Sequence, residues 1–531
     1  MMATGGAVKR VLERMPLTAE LDMALRGRER ASGGFKLEEL RAALPEWVAA
    51  AENSPLRQEE GQKVLVYATL HYWLNYACLV GLALNGMGHE VTLAYSPFNN
   101  WQKPVAKYDM RKRELYVRDV LEPARNLLNI ETFTGTGQRE TIDAKLIVAI
   151  DAVSTRDVQY SLQVESVDTE SELYKLRQDR NYGLAQQALQ WLQREEPDVV
   201  IVPNGLILEF GALQAVCEHL GIPVVSYEFG EQQERIWLAR DRAVMLQDTD
   251  AMWEVKRDEP FSAPQKMKVK ELFAARQQAD LFSNFYRKWQ DVPSEGAQKA
   301  KENLELDDRP IVLLAANVIG DSLTLGRAIF SENMSDWLQR SLEFFAKRDD
   351  LQLVIRIHPG ERNLPGPSVA DLVADQLPEL PENMRVVAAM DPINTYDLIQ
   401  AADLGLVYTT TVGLEMAMSG LPSIVVGQTH YRAKGFTRDP QKWTEYFAEL
   451  EGNLSDLKGA RLSNEQVEMA WHYAYCFFFE YPQLFPWHLL HFKRDAKDYP
   501  LAKLFTAEGQ AQYRKSFDIL TGKAFAWEQV Q

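Results

Sequence analysis

Residues 404–417 read Leu404-Gly405-Leu406-Val407-Tyr408-Thr409-Thr410-Thr411-Val412-Gly413-Leu414-Glu415-Met416-Ala417. The opening apolar run does not alternate with polar residues, which suits a central parallel strand covered on both faces. Threonines then open a helical segment that stops near Gly420-Leu421-Pro422. Strand, polar turn and helix in this order make half of a βαβ unit. Working outward, 311–315, 353–357, 384–387 and 423–426 are further apolar runs of strand length, with helical segments between most of them.

A similar series precedes it. Residues 63–68 form a short apolar run, followed by a helical segment to Met87, a glycine, and a second run at 90–95. The pattern returns at 198–202 and at 224–227, on either side of a helix holding Leu213, Val216 and Leu220. Residues 99–150 interrupt the series and read as an insertion or as extra sheet strands. Two consecutive βα series predict an α/β protein of two doubly wound, Rossmann-like domains facing each other across a cleft. The expected division is an N-terminal helical extension at 1–60, a first Rossmann-like domain at 61–246 and a helical connector at 247–305. A second Rossmann-like domain at 306–450 follows, then C-terminal helices at 451–531 that pack back on the first domain.

A length of 531 residues fits this two-domain reading, and 46% hydrophobic residues suffice for two buried cores. The net charge of −17 opposes broad binding to nucleic acid or to an anionic membrane. Cys78, Cys217 and Cys476 stand far apart in no CxxC pattern, which argues against a disulfide framework or a zinc site and suits a reducing cytoplasm. No run reaches the roughly 18 apolar residues that a membrane span needs. The longest candidate, 473–479, reads as a buried helix or a peripheral contact.

Ligands in such sheets bind beyond the carboxyl ends of the strands, which makes those positions the candidates for chemistry. The run at 311–315 leads into Ala316-Asn317-Val318, where small and polar residues let a ligand approach the backbone. The next strand runs into His358-Pro359-Gly360-Glu361, and an imidazole there can donate to a phosphate oxygen. Thr409, Thr410, Thr411 and Gly413 at a helix start predict an anion site, with Glu415 accepting from ribose hydroxyls. Simple threonine capping of the helix competes with that reading. The loop His430-Tyr431-Arg432-Ala433-Lys434 is either a phosphate-binding or base-edge loop or an exposed basic one.

In the first domain no GxGxxG occurs, so nothing there supports a dinucleotide fingerprint. His71 follows the first strand, and Glu228 and Glu231 follow the strand at 224–227. Each is a candidate general base, in the order Glu228, Glu231, His71. No pair of acidic residues with metal-ligand spacing stands at a strand end, so no metal and no cofactor beyond a donor substrate is expected.

Taken together, His358-Pro359-Gly360-Glu361, Thr409-Thr410-Thr411-Val412-Gly413-Leu414-Glu415 and His430-Tyr431-Arg432-Ala433-Lys434-Gly435-Phe436-Thr437 resemble the capsule polysaccharide biosynthesis family, which includes Kdo transferases. The resemblance spans roughly 309–440. It implies a GT-B glycosyltransferase that takes a nucleotide sugar, a CMP-sugar by preference, and a glycan or lipid-linked glycan acceptor. His358 and the threonines around Thr410 would then hold donor phosphates, and Glu415 would meet the ribose. A nucleotide-sugar 2-epimerase, or a non-catalytic binding protein of a polysaccharide assembly complex, shares the same plan.

Overall fold

The computed structural model describes residues 17–26, 34–58, 60–134, 142–283, 285–288, 290–363 and 366–527. The expected N-terminal extension therefore lies partly outside the described residues. Within it are the helices Thr18–Arg26 and Glu38–Glu52. The strands are β1 (Lys63–Thr69), β2 (Glu90–Ser96), β3 (Leu128–Thr132), β4 (Val199–Pro203), β5 (Val224–Glu228) and β6 (Arg235–Arg240) in the first half. β7 (Ile311–Ala315), β8 (Gln352–Arg356), β9 (Met384–Val387), β10 (Leu404–Val407) and β11 (Ser423–Val425) follow, and β12 (Gln483–Leu484) comes last.

These strands make two sheets, ordered β12-β6-β5-β4-β1-β2-β3 and β11-β10-β7-β8-β9. All pairs from β3 through β1 to β5 are parallel, as are all pairs of the second sheet. Both sheets thus share one doubly wound order. The chain builds outward from the centre on one side, then returns to the centre and builds on the other. That reversal opens a crevice beyond β1 and β4 in one sheet, and beyond β7 and β10 in the other.

The parallel strands form because their side chains are apolar on both faces: every residue of β4, β7, β8 and β10 is buried. Segment 99–150 resolves into the helix Lys107–Leu121, the edge strand β3 and the start of the helix Ala144–Leu162. Two antiparallel additions, β6 and β12, had no counterpart in the sequence reading.

One core lies about the first sheet, and two flank the second. Met252, Trp253, Leu272 and Phe273, from the segment expected as a connector, pack under one face of the second sheet together with Tyr473 and Phe477. Trp337, Leu342 and Phe345 cover its other face. Beyond Gln483 the chain crosses back, and Phe485, Trp487, Phe517 and Leu520 join the core of the first sheet. The aromatic run at 473–479 is buried except for the half-buried Tyr475, as the end of the helix Asn464–Tyr475 and a π-helical turn, Cys476–Glu480. Among the described residues no helix is long and apolar enough to cross a membrane.

Candidate active site in the interdomain cleft

The carboxyl ends of β4 and β5 face those of β7, β8 and β10 across a cavity of about 750 Å³. On the first-domain side it is lined by Asn204, Glu228, Glu231 and Trp237. On the other side stand Asn317, Asp321, Arg327, His358 and Thr409 to Thr411. Arg276, Tyr286 and Arg287 arrive from the segment between the sheets, while Phe477, Phe478, His488 and His491 arrive from the C-terminal return. Four guanidiniums, those of Arg235, Arg276, Arg287 and Arg327, line the cavity against the three carboxylates of Glu228, Glu231 and Asp321. With Glu415 paired to Arg276, cations and carboxylates about the hollow balance, so in a chain of net charge −17 this site is not dominated by negative charge and can accept an anionic ligand.

The second-domain wall is built from the strand ends. His358 follows β8 and is open to the cleft. The Gly360 N–H donates to its Nδ1 at 3.0 Å, which leaves the proton of the neutral ring on Nε2. Desolvation in the cleft, opposed by Asp321 and reinforced by Arg356 and Arg287, holds the imidazole below its ordinary range. Asn317 accepts from the Thr409 N–H at 3.0 Å and so joins the β7 and β10 loops.

The threonine turn is more self-contained than its sequence predicts. Thr409 donates its hydroxyl to the Leu323 carbonyl at 3.0 Å, and Thr410 Oγ1 accepts from the Val412 N–H at 3.4 Å. The next two N–H groups bond to the carbonyls of Thr410 and Thr411. The helix, Val412–Met418, has only seven residues, and its first N–H groups are already satisfied. Thr411 remains half-buried at the cavity wall.

Five residues expected at the donor site are not among the cavity lining. Glu415 is buried and pairs with Arg276 at 2.9 Å, so it balances a charge instead of meeting a ribose. Tyr431 is fully buried and donates to the Thr410 carbonyl at 2.5 Å, which clamps the turn from behind. Gly413 lies beneath that ring: a Cβ there would meet Tyr431 Oη at 2.4 Å and Val407 Cγ2 at 2.8 Å. Lys434 is buried against Asp250. Glu361 accepts from the Val369 N–H at 3.1 Å and anchors the start of the helix Val369–Gln376. Burial pushes the Glu361 carboxyl up to about 7.

On the opposite wall, Glu228 ends β5. Its Oε1 accepts from the Phe229 N–H at 3.0 Å and its Oε2 from Asn204 Nδ2 at 3.2 Å. Desolvation outweighs both donors and pushes the carboxyl up to about 6. Glu231 is paired with Arg287, and burial raises its pKa as well. His71 lies outside the cavity lining. It packs edge-on against the buried Phe35. Of the three candidate bases, Glu228 alone combines a place on the wall with no ion pair among the described residues.

Arg327 was missed by sequence reasoning. It is 3% exposed, donates to the Gln428 carbonyl at 3.1 Å and to the Met245 carbonyl, and so bridges the two domains. Burial brings its pKa down to about 10, which leaves it charged at neutral pH. His488 is buried, bonds Gly230 O through Nε2 at 2.9 Å and accepts from the Leu490 N–H through Nδ1 at 3.2 Å. The C-terminal return thereby braces the loop that carries Glu228 and Glu231. Nothing local in either stretch marks these roles.

Residues 268–463, which include the whole second sheet, match the sequence profile described as "Capsule polysaccharide biosynthesis protein". The match to this family's profile covers less than half of the chain. The first sheet of the chain lies outside the matched segment. No curated protein matches its sequence. Among solved structures it is similar to the beta-Kdo 2,4 transferase KpsC of Thermosulfurimonas dismutans, at 16% identity and a TM-score of 0.34 over 55% of this chain and 83% of that one. It is similar also to UDP-GlcNAc 2-epimerase of Neisseria meningitidis, at 13% identity and a TM-score of 0.25 over 79% and 100%. MurG of Acinetobacter baumannii matches at 13% identity and a TM-score of 0.26 over 78% and 95%.

Proposed function

We propose that this chain is a glycosyltransferase of surface polysaccharide biosynthesis, moving a sugar from a nucleotide sugar to a glycan or lipid-linked glycan acceptor. The observation that carries the reading is the cavity itself. It sets a carboxylate with no ion pair among the described residues on one wall against an Nε2–H imidazole and a buried guanidinium on the other. A volume near 750 Å³ is of the size that takes a small ligand of this class. The motif resemblance favours a CMP-sugar.

In this reading the acceptor hydroxyl gives its proton to Glu228 while its oxygen bonds to the anomeric carbon. The bond from that carbon to the phosphate oxygen breaks, and its electron pair leaves with the nucleotide. His358 Nε2–H, the Thr411 hydroxyl and the Arg327 charge offset the negative charge that gathers there. A carboxyl titrating at about 6 is mostly ionised at pH 7, yet basic enough to take a proton in the transition state. Alignment of the two substrates within one cleft supplies much of the remaining acceleration.

Thermal-shift measurements with CMP, CDP, UMP, UDP and GDP test the donor wall. A nucleotide at about 100 times its Kd stabilises by about 2.7 kcal/mol. His358→Ala is expected to lose most of that shift. Equal shifts in variant and wild type would remove His358 from the site, and no shift with any nucleotide would overturn the reading.

A further inference from the structure

We propose that Asn204 is a positioning residue that aims the Glu228 carboxylate and sets its proton affinity, an inference that rests on reading Glu228 as the acceptor-side base. Asn204 sits just past β4 with φ 58°, in the left-handed region, and is 7% exposed. Its Oδ1 accepts from two backbone N–H groups, those of Leu206 at 3.1 Å and Ile207 at 3.3 Å. Those two bonds decide which way round the amide lies. A flipped amide would set its NH₂ against two donors and its oxygen against a carboxylate, and both contacts would repel. The Nδ2 group is thereby committed to Glu228 Oε2, while the Phe229 N–H holds the other oxygen.

The surroundings leave this amide a large share of the control. Facing Glu228 are the phenols of Tyr72 from the helix His71–Gly86, Tyr160 from the helix Ala144–Leu162, and Tyr227 from β5, each raised chiefly by burial and further by the Glu228 charge. Glu231, Asp321, Arg235, Arg276, Arg287, Arg327, His358, His488 and His491 line the same cavity. No cation is ion-paired with Glu228 among the described residues, so its ionised form is held by hydrogen bonds. A donor to a carboxylate favours the charged form. Loss of the Asn204 donor must therefore raise the proton affinity of Glu228. The acid limb of the reaction then moves toward higher pH.

Asn204→Asp separates aiming from mere turn formation. Aspartate tolerates the same backbone conformation and still accepts from Leu206 and Ile207, but it presents an oxygen where the donor stood. Asn204→Gly keeps the backbone freedom and removes both roles. Infrared difference titration of each background against its Glu228→Gln partner reads the carboxyl directly and needs no substrate. The Glu228 midpoint is expected to rise by about one pH unit or more in Asn204→Asp, where it belongs to a coupled pair, and less in Asn204→Gly. The acid limb of sugar transfer should follow the same shift, with kcat recovering at high pH. Should Asn204→Asp fail to fold, by circular dichroism, the glycine variant carries the test. Midpoints within about 0.3 units of wild type in the folded variants would overturn the proposal. Retention of transfer by Glu228→Gln would remove the base and leave the infrared result standing on its own.

Discussion

Replacement of Arg177 tests how the first-domain wall is held in place. Arg177 in the helix Glu172–Glu195 bonds Asp157 in Ala144–Leu162 and Glu209 in Leu208–Leu220, each at 3.1 Å, with side-chain exposures of 0%, 0% and 2%. At an effective dielectric of about 20, each contact is worth about 5 kcal/mol of gross attraction. Much of that offsets the cost of burying the ions. Truncation of one partner nonetheless strands the others, at a net loss of about 3–5 kcal/mol. Asp157 also accepts from the Leu208 N–H, the residue that ends the Asn204 turn. Arg177→Met should therefore unfold at lower urea and expose the amides of residues 204–208 to hydrogen exchange.

The pH dependence of that loss has a definite sign. Burial raises the Asp157 carboxyl above its ordinary range and Arg177 opposes that rise, so without the guanidinium Asp157 takes up a proton on folding. The folded state then binds more protons than the unfolded state, and stability rises as pH falls. The gap to wild type should narrow between pH 7 and 5, by up to about 1.4 kcal/mol per pH unit for each proton. A loss below about 1 kcal/mol at pH 7, or a gap that widens on acidification, would refute the argument.

Other expectations follow from single contacts. Glu228→Gln should lower transfer by about 10²–10⁴ while nucleotide-induced stabilisation persists; loss of both together would mark a folding defect. Gly413→Ala should cost about 1–3 kcal/mol by forcing Tyr431 Oη aside, and adding Tyr431→Phe should recover part of it, read from urea midpoints. Burial holds the His358 imidazole below its ordinary range, so nucleotide affinity should tighten on acidification as the ring gains a proton, an effect absent from His358→Gln in titrations across pH. EDTA should leave transfer intact, because leaving-group charge is met by His358 and Arg327 in this reading; a loss restored by added Mg²⁺ would show otherwise.

How far this molecule is readable from its sequence depends on whether a residue's partner is local. β7, β8 and β10 are plain in the sequence because strands buried on both faces become continuous apolar runs. β3 is an edge strand carrying Asn129, Glu131 and Thr132, and β12 is two residues long and exists because β6 offers it an edge. β12 leaves no periodic trace, and the alternation of β3 spans only Leu128 to Glu131. The same distinction divides the site. The rule of carboxyl ends locates backbone, and Asn317, His358, Thr411 and Glu228 line the cavity because each lies at or shortly beyond the end of a strand. It does not specify how a side chain turns. Glu415 follows β10 as faithfully as Thr411 does, yet it turns inward because Arg276, distant in the chain, needs a counter-charge in a buried place. Tyr431 turns inward because Gly413 leaves room for its ring and Thr410 offers a carbonyl. A buried charge is decided by where its opposite lies, and that partner is supplied by the folded chain, outside any local window of sequence. The arginines, which carry the cavity's positive charge, are for that reason the part of the site that folding alone discloses.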